Sequence, residues 1–293
     1  MKRIFCWTIV LVLTLVFPLS ALADAIDPPE EEIVVSLGAD LNESQQKQML
    51  ELFGVKEDEV KILKVTNQEE RDYLLGLIGE DKIGTRAISS AYVELLGEGE
   101  GIEVETHNIS WVTREIYANA LVTAGIENAK VIAAAPFKVS GTAALTGIMK
   151  AFEEATGIEL DEEAKEIANE ELVTTGELAE EIGKDEAAAL IKAIKEEIAK
   201  LKTKDEGEIR NIVINIAGNL NINLTQEQID QIVELMKKIS NLDLNVEKIA
   251  GQIEKIAGSL DDVKRVVEEN KGFIKKILEA IESFFAWLRS LLG

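Results

Sequence analysis

Two hydrophobic patterns divide the chain near residue 156. Before it, short apolar runs of β-type composition alternate with stretches whose apolar residues recur at three- and four-residue spacing. The apolar runs predict strands at residues 33–37, 60–65, 102–109 and 130–135. The periodic stretches predict helices at residues 42–53, from near residue 67, at 113–123 and at 141–155. Strands that alternate with helices are typical of an α/β sheet with helical crossovers.

Beyond Pro136 the chain contains no proline, and helical spacing continues to its end. This pattern predicts consecutive helices. Asp161, Thr175 and Thr225 stand where helix N-caps are expected, and Thr225 begins a capping-box sequence. Connections between helices are predicted at residues 204–207 and 241–245.

A weak internal similarity leaves one alternative open in the second half. Residues 224–236 resemble residues 41–53, and each stretch follows an apolar segment. A duplicated strand–helix unit would place a strand at residues 212–216. The other interpretation is that both stretches are unrelated amphipathic helices with similar caps.

The amino terminus has the pattern of an export signal. Lys2 and Arg3 precede an unbroken apolar run at residues 4–17, and small residues follow up to Ala23. We expect cleavage between Ala23 and Asp24, and an extracellular or cell-envelope location. A retained membrane anchor is the alternative, but the run is shorter than the roughly 20 residues that span a bilayer.

The predicted fold class is α/β, with a sheet domain followed by a mainly α-helical domain. The predicted organisation is a cleaved signal peptide at residues 1–23, an α/β domain at 24–156, a helical domain at 157–270 and an amphipathic C-terminal helix at 271–293.

Charge and composition narrow the expected chemistry. The 293 residues include 54 acidic and 31 basic side chains, which gives a formal net charge of −23. A chain of this sign lacks the clustered positive charge that binds phosphate backbones, so nucleic acid is not an expected partner. The single cysteine, Cys6, lies in the predicted signal peptide, so no disulfide is expected. With His107 as the only histidine, a His-based metal cluster is excluded, and neither a metal nor a cofactor is predicted.

Four segments carry a resemblance to a known family. They are VTNQEER at residues 65–71, IGTRAISS at 83–90, NALVTAG at 119–125 and AAPFKVSGTAALTG at 134–147. These segments resemble those of the YpuA-like family of exported, mainly Gram-positive bacterial proteins, a domain of unknown function (DUF1002). The resemblance implies export and a shared fold. It supplies no catalytic residue.

The loop that leaves the predicted strand at 130–135 is the main candidate site. Backbone N–H groups at the next helix start, around Ser140, Gly141 and Thr142, are typical of an anion or ligand site. Lys138 could add a charge there, or form a nucleophile pair with Ser140. His107 is the one candidate for a histidine general base. The structural alternative is that Ser140 caps a helix whose small residues pack closely on the sheet.

Aromatic residues are scarce, 5% of the chain, which is unlike carbohydrate-binding proteins with their exposed aromatic platforms. We expect Trp111 and Tyr117 to pack in the core, and the alternative is that they belong to such a platform.

The last predicted helix has a broad apolar face and a locally basic polar face. Lys271, Lys275 and Lys276 supply the positive charge. Such a helix suits a membrane surface or an envelope protein, and the alternative is that it folds back onto its own bundle. The residues of the predicted interaction face are Phe273, Ile277, Ile281, Phe284, Phe285, Trp287, Leu288 and Leu291.

These features favour a non-catalytic, exported cell-envelope or extracellular protein that binds a partner or a surface. The alternative is a secreted hydrolase of unrecognised type that uses the loop from Lys138 to Thr142.

Overall fold

The computed structural model describes residues 32–242, where a five-stranded mixed sheet precedes a series of helices. The strands are β1 Ile33–Gly38, β2 Lys61–Val65, β3 Ser90–Leu95, β4 Ile102–Ile109 and β5 Ala129–Val139. Their order in the sheet is β2-β1-β3-β5-β4. β1 is parallel to β2, and β4 is parallel to β5, while β3 is antiparallel to β1 and β5. The carboxyl ends of the other four strands therefore meet at one edge, here called the strand-end edge.

Nine helices follow or connect these strands within the described residues. They are α1 Glu43–Phe53, α2 Asn67–Leu74, α3 Glu80–Ile83, α4 Arg114–Thr123, α5 Thr142–Thr156, α6 Glu162–Ile182, α7 Lys184–Leu201, α8 Glu206–Asn219 and α9 Gln226–Asn241. The N-cap residues of α1, α2 and α9 each form a capping box; they are Asn42, Thr66 and Thr225. Asp161 accepts a hydrogen bond from the backbone N–H of Ala164 at 2.9 Å. These side chains bond N–H groups that a helix leaves unpaired at its start.

Alternating side chains cover the two faces of the sheet with different helices. Val35 and Leu37 point to the face that α1 covers through Met49 and Phe53. Val34 belongs to the larger core, which includes residues of α4 to α9. Successive strand residues point to opposite faces of the sheet. Apolar residues occupy both sets of positions because both faces are buried.

A buried ion pair joins the helices beneath the sheet. Glu171 on α6 and Lys195 on α7 have side chains that are 0% and 1% exposed, with Lys195 Nζ 2.9 Å from Glu171 Oε1. The ammonium also donates to Thr123 Oγ1 at 2.6 Å and to the Asn119 carbonyl oxygen at 2.8 Å, both on α4. Burial lowers the pKa of Lys195, and the Glu171 carboxylate opposes that effect. All three ammonium protons have acceptors.

The α/β class and the predicted strands before residue 110 are confirmed, but one strand was missed. β3, at the centre of the sheet, was not predicted. Its sequence, SAYVEL, is short and has no clear alternation, because its first four residues are buried and Glu94 lies near its end. As a consequence the sheet is mixed rather than parallel.

The last strand is longer than predicted and contains Pro136. Pairing of β5 with β3 ends at Ala134, so the missing N–H of Pro136 leaves no gap in that ladder. On the other side, the register with β4 shifts between His107 and Ile109. The strand therefore continues to Val139, at the start of the candidate loop.

One expectation for the helical half is wrong, and one open alternative is decided. Thr175 does not begin a helix but lies buried inside α6, where its hydroxyl donates to the Glu171 carbonyl oxygen at 2.6 Å. That bond satisfies the hydroxyl within the helix. The alternative strand at residues 212–216 is helical and belongs to α8, which supports the interpretation of unrelated helices.

The other expectations for this half are met or fall outside the described residues. The caps at Asp161 and Thr225 are confirmed, and the connection between α7 and α8 begins at Lys202, slightly earlier than predicted. The division at residue 156 stays a prediction. The predicted signal peptide and the predicted C-terminal helix lie outside the described residues. Within residues 32–242, every helix is too short or too polar to cross a bilayer.

Candidate functional site

A cleft of about 410 Å³ lies at the strand-end edge. α2 contributes one wall, and α3 and the loop after it contribute another. The segment after β4, the end of β5 and the start of α5 form the remainder. Phe137 is 42% exposed, so the cleft reaches solvent. In open α/β sheets, ligands bind outside the carboxyl ends of the strands. The residues that line the cleft are Glu70, Lys82, Ile83, Gly84, Thr85, Arg86, Ile88, Ser89, Ser110, Trp111, Phe137, Val139, Ser140, Thr142 and Ala143.

Gly141 allows the chain to enter α5 at the floor of the cleft. It is the N-cap residue, with φ of 104°, a conformation that favours glycine. A Cβ there would lie 2.4 Å from the Ile109 side chain and 2.6 Å from the Tyr117 hydroxyl. That hydroxyl is buried and donates to the Gly141 carbonyl oxygen. Tyr117 therefore has the predicted core role, and its contact fixes the backbone beneath the site.

Ser140 does not cap α5, contrary to the structural alternative. α5 starts without any side-chain cap. The Ser140 hydroxyl instead donates to the Lys82 carbonyl oxygen at 3.0 Å, and its oxygen lies 3.3 Å from Thr142 Oγ1. The loop before α5 is thereby joined to α3.

Glu70 is a buried acid in the wall of the cleft, 1% exposed. Thr142 Oγ1 lies 2.5 Å from its Oε1, and Asn67 Nδ2 lies 3.3 Å from its Oε2. Burial raises the pKa of Glu70 from 4.5 to about 7, although the two hydrogen bonds and nearby Arg71 oppose the rise. The carboxyl group therefore changes its charge near neutral pH.

A chain of polar contacts runs from the Glu70 carboxyl group through the hydroxyls of Thr142 and Ser140. It ends at the Lys82 carbonyl oxygen. When Glu70 is ionised, Thr142 donates to it, and Ser140 donates to Lys82. No proton then remains between the two hydroxyl oxygens. When Glu70 is protonated, it donates to Thr142, Thr142 donates to Ser140, and every link has one proton. Protonation of Glu70 completes the chain.

Trp111 forms an aromatic wall of the cleft, and its neighbours hold the ring in one orientation. Trp111 Nε1 donates to Glu180 Oε1 at 2.8 Å, and the Lys82 ammonium lies 4.8 Å from the centre of the Trp111 ring. Lys82 also pairs with Glu180. Behind the ring, Gly176 on α6 is so close that a Cβ would meet the indole carbons at 2.5 Å. Trp111 is therefore a rigid surface.

Arg86 is the remaining cation at the cleft. Its side chain is exposed, and within residues 32–242 it forms no ion pair. The guanidinium group is available to a ligand with a planar anionic group.

The structure brings together only part of the predicted site. Ser140 and Thr142 line the cleft, and Gly141 lies directly between them. Lys138 is exposed near the end of β5 and does not line the cleft. His107 lies on β4, 46% exposed, with its Nε2 3.8 Å from Glu105 Oε2. The three suggested catalytic residues are therefore not assembled as one group.

Sequence reasoning missed Glu70 and Arg86. Both lie in segments that carried the family resemblance, at residues 65–71 and 83–90. Their position in these segments was the one sequence signal that could have pointed to them. Their role in one cleft depends on the packing of α2 against α5, which spacing along the chain does not reveal. Among the described residues, no group of three or more His, Cys, Asp or Glu side chains is placed to hold a metal ion.

Comparisons with known proteins place the chain in a family. A family model described as a protein of unknown function (DUF1002) matches residues 37–256. The chain belongs to this family. It is 42% identical over 277 residues to the uncharacterized protein YpuA of Bacillus subtilis (strain 168), and the match covers 94% of this chain and 93% of that protein. The comparison with solved structures gave no significant match. The whole cleft lies within the part of the chain that defines the family.

Proposed function

We propose that this protein is an exported, non-catalytic binding protein that holds a small molecule in the cleft at the strand-end edge. The cleft itself is the observation that supports this proposal. Its volume, about 410 Å³, falls in the range of small-molecule sites. Its walls combine a fixed aromatic ring with a few hydroxyl and charged groups, as such sites usually do.

The contacts of Ser140 favour binding over hydrolysis. A serine nucleophile needs a base that accepts its proton, whereas the Ser140 hydroxyl donates to a backbone carbonyl oxygen. His107 and Lys138 do not line the cleft, and Thr142 is only 2% exposed. These hydroxyls are suited to orient a ligand rather than to attack it.

Blocking the cleft tests the proposal. Thr85 is exposed and lines the cleft, so Thr85→Trp fills part of it without entering the core. Ser44→Trp, on the exposed face of α1, is the matched control. We expect compounds from a thermal-shift screen of small metabolites to stabilise the wild type and Ser44→Trp but not Thr85→Trp. Stabilisation of all three proteins by every hit would contradict a site in this cleft.

A hydrolase remains the second candidate because Glu70, with a pKa of about 7, lies against the Thr142 hydroxyl. This is the arrangement of a base with a hydroxyl in the loop from Lys138 to Thr142. Incubation with a panel of chromogenic esters would distinguish the two functions. Turnover by the wild type that is lost in Thr142→Val and in Glu70→Gln would support the enzyme. The binding proposal predicts equal background rates in all three proteins.

Export is part of the proposal, and it rests on the signal pattern at residues 1–23. The protein recovered outside the cytoplasm should begin at Asp24, which mass spectrometry of its amino-terminal peptide measures. Intact Met1 in that material would refute cleavage.

The predicted C-terminal helix is proposed to attach the protein to an anionic membrane surface or an envelope protein. Lys271, Lys275 and Lys276 would each contribute ~1 kcal/mol near anionic lipids, and salt would weaken that attraction. Deletion of residues 272–293 should abolish sedimentation with anionic vesicles at low salt and leave the melting temperature unchanged. A large fall in stability, with no vesicle binding by the full chain, would make the helix part of the core.

A further inference from the structure

The net charge of the cleft depends on the protonation of one carboxyl group. Glu70, Lys82 and Arg86 are the ionisable side chains among the described residues that line it. Glu180 neutralises Lys82. Arg86 and Glu70 therefore set the net charge of the cleft lining. This net charge is zero when Glu70 is ionised and positive when Glu70 is protonated. A locally positive cleft is unusual in a chain with a net charge of −23.

The hydrogen-bond chain responds to the same proton. With Glu70 protonated, its donors and acceptors are matched from the carboxyl group to the Lys82 carbonyl oxygen. With Glu70 ionised, Ser140 and Thr142 face each other with lone pairs at 3.3 Å. One protonation event thus completes this hydrogen-bond chain and removes the one negative charge among the described residues that line the cleft. An anion that entered the cleft would favour the same state.

We propose that the cleft binds a small organic anion, a carboxylate or phosphate on a flat apolar body, and takes up a proton on Glu70 together with it. This rests on the proposed function, because it assumes that the cleft is a binding site. Arg86 offers two parallel N–H donors to the anionic group. The body would lie against Trp111 and Phe137, which line the same cleft.

Ionisable side chains on α2 and α4 face Glu70. Arg71 on α2 faces Glu70 and is bound to Glu80 and to the Gly84 carbonyl oxygen. Tyr117 on α4 also faces it, and burial raises the pKa of that phenol further above its usual value.

The helices that pack against α2 carry cations with carboxylate partners. On α5, Lys150 pairs with Glu69, and on α6, Lys165 pairs with Glu153 and Glu162. Glu70, whose pKa burial raises to about 7, is the group that we expect to change its charge near neutrality.

The test uses the protein purified after expression of the full chain, with benzoate, phenyl phosphate, benzamide and inorganic phosphate as probes. Binding is followed by calorimetry and by Trp fluorescence. Benzoate and phenyl phosphate should bind at pH 6, and the tighter of the two identifies the head group. Benzamide, which lacks the charge, and inorganic phosphate, which lacks the flat body, should bind at least about tenfold more weakly.

Proton uptake on binding is tested by measuring the affinity for benzoate at two pH values. Its affinity for the wild type should fall about tenfold or more between pH 6 and pH 8.5, because binding takes up a proton. Glu70→Gln, which carries the neutral hydrogen-bonding group permanently, should bind equally well at both. Arg86→Gln should weaken binding about tenfold, whereas Arg210→Gln, the same change at an exposed ion pair on α8, should not.

The outcomes separate this inference from the proposed function. Equal binding of benzamide, or wild-type affinity that does not change with pH, would overturn the proton-linked anion site. So would a pH dependence that survives in Glu70→Gln. If screened neutral compounds bind and Thr85→Trp blocks them while both aromatic anions fail, the cleft is a binding site of another class. If Thr85→Trp blocks nothing, the proposed function itself fails.

Discussion

At the scale of single residues, Glu70 should leave a measurable signature on stability. Its pKa is raised from 4.5 to about 7, so the folded protein holds the proton more tightly than the unfolded chain. Its contribution to stability is therefore fully present below about pH 4.5 and is lost as pH rises through about 7. The full difference is roughly 3 kcal/mol, at about 1.4 kcal/mol per pKa unit. Urea unfolding of the wild type should show this fall between pH 5 and pH 8, and Glu70→Gln should flatten it.

The neighbouring Glu69 is the control for that experiment. It is bonded to Lys150 and to the Thr66 cap, and these bonds lower its pKa, although partial burial opposes them. Its stabilisation is lost only as pH falls towards its own lowered pKa. Glu69→Gln should therefore leave the slope between pH 5 and pH 8 unchanged. An equal loss of slope in both variants would assign the effect to the region and not to Glu70.

The candidate site shows how far residues alone can be interpreted. Ser140 and Thr142 could be predicted because a loop between a strand and a helix start is a local pattern. Glu70 could not, because an acid on an amphipathic helix ordinarily faces water. Arg86 could not, because no local pattern places the loop between α3 and β3 at this cleft. Only the packing of α2 on α5 removes that water and produces the altered pKa.

At the scale of elements, the contact of α6 with Trp111 depends on a missing side chain. Gly176→Ala would normally favour a helix by up to about 1 kcal/mol. Here the new Cβ would lie 2.5 Å from the indole carbons, so either the ring or the helix must move. We expect a net loss of about 1–3 kcal/mol in thermal denaturation and altered Trp fluorescence.

Gly218 provides the matched substitution. It lies in α8, and a Cβ there would meet nothing within 4 Å. Gly218→Ala should therefore be neutral or slightly stabilising. If both substitutions proved stabilising, Trp111 would not be the rigid wall described for the cleft.

Elements were predicted well where local periodicity decides them. The capped helices α1 and α9 have cap, box and apolar stripe within one continuous stretch. β3 has no such local signal, since its position is decided by partners on both sides that come from β1 and β5. Pro136 similarly argued for an early end to β5, and only the pairing of its neighbours shows why the strand continues.

At the scale of the whole molecule, the sheet and the helices share one core. Leu145 of α5 and Leu172 of α6 are fully buried in the same cluster, which extends to Leu235 of α9. A fragment of residues 24–156 would expose the apolar face of α4 that packs against α6 and α7, at about 25 cal/mol per Å². We expect this fragment to lack a cooperative urea transition, while the full chain shows coincident transitions by circular dichroism and fluorescence. A fragment that folds alone would support two independent domains.

The ion pair between Glu171 and Lys195 has an evolutionary consequence. Loss of either partner leaves an uncompensated charge in the interior, at a cost of about 3–5 kcal/mol, whereas joint replacement by apolar residues is often tolerated. Each single substitution is therefore strongly destabilising, whereas the double substitution to apolar residues is tolerated. Among relatives, these two positions, 24 residues apart, should vary together or not at all. A lineage that has lost the charge at one should carry an apolar residue at the other.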